Sequence, residues 1–200
     1  MKQTELDWSR AWTLLVGKQV RAIRSTKGLS AQDLSDKCAV IGFTVARNTI
    51  SNLENGRKEV VTIQEIVVMA FALGCPPVAL LYPLEAEEVE MLPSLEKVPF
   101  YAAQWFSGHW HGSSDDDGWG MTLTERTDES ALVLGLLREY VELQAQRRRL
   151  LKVLPAAPQD SWKYLSESLK HAEAQIEKLN KILPDQYGVK APTSELWQDA

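Results

Sequence analysis

Glycines and prolines divide residues 1–83 into stretches of only a few helical turns. Helix-ending signals lie at Lys27-Gly28, Asn55-Gly56 and Gly74, and Pro76-Pro77 follow directly. Glycine adopts the left-handed conformation that ends a helix, and proline fits the first turn of the next one. The region is therefore restricted to short helices, and we predict five of them.

Cap residues and apolar spacing position the first two helices. Ser30 and Asp33 form a capping box that predicts the second helix over residues 31–38, with Leu34 buried. The first helix is predicted over residues 12–26. Leu15, Gln19, Ala22 and Ile23 lie near one face of it, and Lys18, Arg21 and Arg24 lie nearer another.

The third predicted helix, residues 46–54, has two different faces. Val45, Ile50 and Leu53 are apolar and can share one side, whereas the opposite side carries Arg47, Asn48, Ser51 and Asn52. Arg can make a bidentate contact with guanine in the major groove, and Asn with adenine. An ordinary amphipathic surface helix would show the same pattern, so the flanking sequence must distinguish the two interpretations.

The segments on either side of this helix are expected to complete a core. Ile41 and Phe43 should pack inward in the connection before it. Thr62 caps a fourth helix, and Pro76 or Pro77 begins a short fifth one. The sequence therefore predicts five short helices, and the third of them carries the Arg and Asn side chains.

This arrangement resembles the lambda-repressor-like helix-turn-helix domain of the xenobiotic-response-element (XRE) regulators. The resemblance is carried by RAIRSTKGLSAQDLSDK, NTISNLENGRK and TIQEIVVMAFALGCPPVALL. It covers roughly two fifths of the chain, and the long connection containing Gly42 looks like a variant common in actinobacterial members. The resemblance implies a sequence-specific DNA-binding domain over residues 8–83.

The resemblance also implies roles for residues at matching positions. Arg47, Asn48 and Asn52 match base-reading positions, and Arg24 and Glu54 match a buried pair that ties helix one to helix three. Positions near the phosphate backbone are matched by Gln32, Thr49, Ser51, Asn55, Arg57 and Lys58.

The sequence departs from the family pattern in two places. Ala31 stands where the family usually has a phosphate-binding Gln, with Gln32 next to it, and Ala46 has no side-chain oxygen to cap the recognition helix. Both departures concern local contacts rather than the fold.

The charge of the chain is unevenly distributed. Residues 1–83 carry ten Lys/Arg against seven Asp/Glu (+3), residues 84–130 two against eleven (−9), and residues 131–200 ten against nine (+1), within a net charge of −5. Because cationic contacts to phosphates provide most of the affinity for DNA, one domain of +3 should bind weakly. Family members usually dimerise, which places two recognition helices about 34 Å apart on a palindromic site.

Residues 131–184 are predicted to form an antiparallel hairpin of two long helices, interrupted at residues 155–158, followed by a tail over 185–200. Asp160 or Ser161 is expected to cap the second helix, whose heptad stripe comprises Leu165, Leu169, Ala172, Ile176, Leu179 and Leu183. We expect these helices to pair with another subunit, which gives a homodimer, or with the aromatic segment; an intramolecular coiled coil is the alternative. A solvated face, or extra phosphate contacts, would explain the basic cluster Arg147, Arg148, Arg149 and Lys152.

Residues 84–130 are predicted to form an acidic, aromatic-containing linker region. Its aromatic residues are expected to pack against a domain, although a ligand pocket or a partner surface would also use them: Phe100, Tyr101, Trp105, Phe106 and Trp110. His109 and His111, followed by Asp115, Asp116 and Asp117, suggest a metal site only weakly, because spacing fixes no third ligand. We expect a solvated acidic loop, with no metal and no cofactor.

The sequence as a whole predicts an all-α, cytoplasmic protein without a membrane span. Its leading predicted function is a transcriptional regulator, a repressor that binds double-stranded DNA at a palindromic operator. A protein-interaction adaptor or antitoxin-like partner, with DNA binding secondary, is the alternative. A metal-dependent enzyme is disfavoured, because no nucleophile, base and orienting group occur at informative spacing.

Overall fold

A computed structural model of the protein describes residues 2–109 and 129–192. The chain divides into two compact units, Met1–Ser107 and Gly108–Ala200, which are described separately. The first unit therefore includes residues 84–107 of the predicted linker region. Among the described helices, none is both long enough and apolar enough to cross a membrane.

The first unit contains helices and one small β-hairpin. The five helices predicted for residues 8–83 are present, and the first begins earlier than expected, at Lys2. In chain order the elements are α1 (Lys2–Thr26), α2 (Ala31–Val40), α3 (Arg47–Glu54), α4 (Ile63–Leu73), α5 (Pro77–Leu81), β1 (Val89–Leu92), β2 (Leu95–Lys97) and α6 (Pro99–Phe106).

The helix boundaries follow the predicted cap chemistry. Ser30 and Asp33 form the capping box of α2, and Thr62 and Glu65 form one at α4. Gly74 ends α4 in the left-handed conformation, with φ 63°. The predicted caps therefore begin α2 and α4, and Gly74 ends α4, whereas α2 continues two residues beyond its predicted end, to Val40.

The core of this unit lies where α1 contacts α3, α4 and α5. Its largest buried side chains include Val16, Val20, Leu34, Ile50, Leu53, Met69, Leu73, Leu80 and Leu81. On α1 the buried residues are Thr13, Val16, Gly17 and Val20. In the group predicted to share one face, Leu15, Gln19 and Ile23 are half-buried and Ala22 is exposed. Gly17 on the buried side lets α3 approach closely, so the size of a side chain was a poor guide to burial.

The prediction that Ile41 and Phe43 pack inward was also wrong, because both side chains are exposed. Val45, two residues before α3 begins, is buried. The connection from α2 to α3 therefore presents apolar groups to solvent.

The all-α prediction is correct for most of the described chain and wrong for residues 89–97. β1 and β2 form an antiparallel pair in which Val89 is opposite Lys97 and Leu92 is opposite Leu95. Val89 and Met91 are buried and alternate with Glu90, the period expected of a half-buried strand. The surrounding acidic residues obscured this short alternation in the sequence.

The second unit contains the predicted long helix pair. α7 (Glu129–Val153) leads through a 3₁₀ turn (Leu154–Ala156) into α8 (Gln159–Tyr187). Their buried apolar cluster comprises Tyr140, Ile176, Leu179 and Leu183, as the heptad stripe predicts for α8. Pro158, rather than Asp160 or Ser161, is the N-cap, and α8 continues past Pro184 into the predicted tail.

Candidate nucleic-acid interface

The α3 helix has a buried apolar side and an exposed polar side. Ile50 and Leu53 are buried, and Val45 is buried just before the helix begins. On the other side Arg47, Asn48 and Asn52 are exposed. Within the described residues, the side chains of these three make no hydrogen bond, so their donors and acceptors remain free for a ligand.

A close approach between α1 and α3 fixes the position of α3 against α1. A Cβ atom placed on Gly17 would lie 2.2 Å from the carbonyl oxygen of Leu53. Only glycine fits there without displacing one backbone from the other. The sequence reasoning missed Gly17, and its signal was an isolated glycine in the interior of a predicted helix, which often has a packing reason.

The predicted pair of Arg24 and Glu54 is present and is bidentate. Nε and Nη2 of Arg24 each donate a hydrogen bond of 2.7 Å to one carboxylate oxygen of Glu54. The Arg24 Nη1 group also donates to the carbonyl oxygen of Leu29 at 2.5 Å. Both side chains are largely buried, and the hydrogen bond to Glu54 is the main cause of the raised pKa of Arg24. The pair links α1, the following turn and the C-terminal end of α3.

The N-terminal end of α3 lacks a side-chain cap. Ala46 occupies the N-cap position and makes no side-chain hydrogen bond to the helix. The first amides of a helix have no acceptor within it, and together with the helix dipole they favour an anion nearby. Because Ala46 has no side-chain oxygen, it provides no acceptor for these amides.

Two of the predicted phosphate-contacting side chains already have partners. Gln32 Nε2 donates to Asp36 Oδ1 at 2.8 Å, and Lys58 Nζ lies 2.9 Å from Glu65 Oε1. Burial acts to raise the pKa of Glu65, but hydrogen bonds from the Thr62 amide and from Lys58 outweigh it, so the pKa is lowered. Lys58 would have to exchange this partner for a phosphate.

The remaining predicted phosphate-contacting residues surround α3. Asn55 and Arg57 are exposed just after it, and Thr49 and Ser51 are half-buried on it. The backbone amides of Arg57 and Lys58 both donate to the carbonyl oxygen of Asn52, at 2.8 and 3.2 Å. This turn holds Arg57 beside the end of the polar side.

The predicted basic cluster belongs to the second unit. Arg147 Nε lies 3.1 Å from Glu173 Oε1, which joins α7 to α8. Arg148, Arg149 and Lys152 are exposed. Three of the four cations are therefore solvent-accessible, and their use as phosphate contacts stays a prediction.

The expectation that the aromatic segment packs against a domain was largely wrong. Pro99 and Ala102 are the buried residues of α6. Its aromatic side chains are exposed, although Phe106 also makes an edge contact with Tyr82 at 5.9 Å: Phe100, Tyr101, Trp105 and Phe106. Trp110 lies outside the described residues.

The suggested metal ligands are only partly described. His109 is exposed, whereas His111 and Asp115, Asp116 and Asp117 lie outside the described residues. In residues 2–109 and 129–192, no three His, Cys, Asp or Glu side chains are placed together to hold a metal ion.

No protein-family model, curated protein or solved structure matches this chain. The resemblance to the lambda-repressor-like domain therefore stays a prediction from the residues.

Proposed function

We propose that this protein is a sequence-specific regulator of transcription, a repressor that binds double-stranded DNA through the polar side of α3. The observation that carries the proposal is the free, exposed set of Arg47, Asn48 and Asn52 on a helix whose other side is buried. Arg and Asn match the hydrogen-bonding edges of guanine and adenine. Side chains for base reading are thus present on one short, fixed helix.

The way in which α3 is held supports the same function. Base reading requires side chains placed within a fraction of an ångström, and sites on rigid elements achieve this best. Gly17 and the Arg24–Glu54 pair hold α3 at its middle and its C-terminal end. The free amides beside Ala46 add a phosphate contact at the other end.

The charge supports binding by more than one copy. The first 83 residues carry only a small positive charge, and Lys58 is paired with Glu65. A single domain therefore has few free cations for phosphates. We propose a homodimer through α7 and α8 on a palindromic operator, in which the α3 helix of each subunit contacts one half-site.

Selection of duplex DNA from a random library by the full chain tests the proposal. We expect one recurring palindromic sequence. Arg47→Ala should remove the preference at one base pair in each half-site, at a cost of about 1–3 kcal/mol per contact. Arg57→Ala should instead weaken binding to all sequences and reduce the salt dependence.

Arg21→Ala is the matched control, because Arg21 is an exposed arginine on α1 and the charge change is the same. It should leave the selected sequence unchanged. Recovery of no common sequence, or an unchanged preference in Arg47→Ala, would remove α3 from the proposed role.

A protein-interaction adaptor is the second candidate, favoured by the exposed aromatic side chains of α6. Aromatic residues are enriched in the centres of protein interfaces. Copurification of a stoichiometric partner that is lost with Phe100→Ala, together with failure to select DNA, would support this function instead.

A further inference from the structure

The end of the hairpin at which α7 turns into α8 is exposed on all sides. Residues 159–164 begin α8, and all of them are exposed, which covers more than one full turn of the helix. Residues 151–153, at the end of α7, are exposed as well. Farther along the hairpin, buried side chains such as Ile176 hold the two helices together. We call residues 148–164 the hairpin tip.

The turn inside the hairpin tip has no polar side chain. Residues 153–158 read Val-Leu-Pro-Ala-Ala-Pro, and the exposed members are Val153, Pro155, Ala156 and Pro158. Trp162 and Tyr164, which follow on α8, are 52% and 72% exposed. Connections between helices normally consist of polar residues. An apolar turn beside two exposed aromatic side chains therefore marks an interaction site at the end of the hairpin.

The hairpin tip is basic, although the chain as a whole is acidic. Its charged residues are four cations and one acid, all of them exposed: Arg148, Arg149, Lys152, Lys163 and Asp160. They give the tip a charge of +3 in a chain of −5. The three cations on α7 lie within about 8 Å of the end of that helix, because each residue adds 1.5 Å. A partner of the tip must therefore present negative charge close to apolar groups.

We propose that the hairpin tip binds the surface of a lipid bilayer that contains anionic phospholipids. At such a surface negative headgroups lie beside apolar acyl chains, and Trp and Tyr side chains concentrate at the boundary between them. The hairpin tip has the matching order, with an apolar turn at its extremity and Lys152, Trp162 and Lys163 in the adjoining helical turns. Long basic side chains keep their charge among the headgroups while their stems contact apolar groups.

The apolar turn and its exposure on all sides favour a bilayer over other negatively charged partners. A DNA duplex attracts the cations through its phosphates, but it offers no apolar phase for residues 153–158. An acidic protein surface would cover one side of the hairpin tip, whereas a bilayer surrounds whatever enters it. The inference depends neither on DNA binding by α3 nor on a homodimer.

Sedimentation of the full chain with lipid vesicles tests the proposal. We expect the protein to sediment with vesicles of phosphatidylglycerol and phosphatidylcholine, and to remain in solution with vesicles of phosphatidylcholine alone. Lys152→Gln removes one cation and should weaken binding to the anionic vesicles about fivefold. Val153→Gln changes no charge and should also weaken binding severalfold, because the apolar turn then carries a polar side chain. Both side chains are exposed, so both variants should retain the helical circular-dichroism spectrum.

Lys178→Gln and Leu132→Gln are the matched controls for the charged and the apolar substitution. Both side chains are exposed on the same two helices, about 20 Å or more from the hairpin tip. These variants should bind the anionic vesicles as the natural protein does.

Failure of the natural protein to sediment with the anionic vesicles would overturn the proposal. Equal binding by Val153→Gln and the natural protein would also overturn it, because attraction between charges would then be sufficient. A third contrary result is a Lys152→Gln protein that loses affinity for duplex DNA and keeps its affinity for vesicles, which would assign the cations to nucleic acid.

Discussion

The two units hold their helices together in different ways. In the first, α3 has only eight residues and is fixed by individual contacts, the close approach at Gly17 and the buried pair of Arg24 and Glu54. In the second, α7 and α8 have 25 and 29 residues and pair through repeated apolar side chains. A short helix cannot hold itself by local hydrogen bonds. The orientation of α3 therefore depends on a few residues, whereas the pairing of α7 with α8 depends on many similar contacts along both helices.

The two cross-helix ion pairs should show the largest difference between the units. Glu54→Gln leaves the buried Arg24 charge without its counter-ion and should lower the free energy of unfolding by about 3–5 kcal/mol. Glu173→Gln breaks a half-exposed pair with Arg147 and should cost about 0–1 kcal/mol. Urea unfolding followed by circular dichroism measures both changes.

Replacement of both partners separates the cost of an unpaired charge from the value of the pair. Arg24→Met with Glu54→Leu should recover much of the stability lost in Glu54→Gln, because no charge remains buried. Similar losses for Glu54→Gln and Glu173→Gln would mean that the two units are held in the same way.

Gly17→Ala should have the next largest effect. Alanine normally stabilises a helix interior relative to glycine, but here its Cβ would lie 2.2 Å from a backbone oxygen of α3. We expect a loss of about 3 kcal/mol, the upper part of the range for overpacking. Thermal unfolding measures it, and Lys18→Ala, at the adjacent exposed position, is the control. A stabilised Gly17→Ala protein would show that the helices can separate freely.

The same difference explains what the sequence could predict. The second helix of the hairpin carries a heptad repeat of apolar residues. Spacing alone therefore identified its core residues, which are Ala172, Ile176, Leu179 and Leu183. Cap residues such as Ser30 and Thr62 act on their own helices, and they correctly predicted where α2 and α4 begin. Cap residues and periodic apolar spacing were therefore sufficient to predict most of the helices.

Contacts between elements distant in sequence were harder to predict. The buried face of α1 was not recognised, because Gly17 lies there. Gly17 is required by the close approach of Leu53, 36 positions later, and its own hydropathy does not indicate burial. Trp8 likewise donates to the carbonyl oxygen of Glu90 in the unforeseen strand β1. The Arg24–Glu54 pair was anticipated only through the family resemblance.

Two buried tyrosines, one in each unit, should show the smallest of these differences in stability. Tyr140 in the hairpin accepts a hydrogen bond from Gln144 at 3.0 Å, so Tyr140→Phe should cost about 1 kcal/mol. Tyr82 is 2% exposed, and its hydroxyl has no hydrogen-bond partner among the described residues. Removal of an unpaired buried hydroxyl relieves its desolvation, so Tyr82→Phe should stabilise the first unit by about 1 kcal/mol.

A pH series of urea unfolding tests the cause at Tyr82. Burial raises its pKa from 10.0 to about 12, so between these values the folded protein retains a proton that the unfolded chain releases. The titration of Tyr82 therefore leaves the free energy of unfolding unchanged below pH 10 and lowers it as the pH rises from 10 through 12. Tyr82→Phe should lack that loss, and the natural protein minus variant difference cancels the titration of lysines. If the two proteins lose stability in parallel between pH 10 and 12, the hydroxyl is solvated, and Tyr82→Phe should then give no stabilisation either.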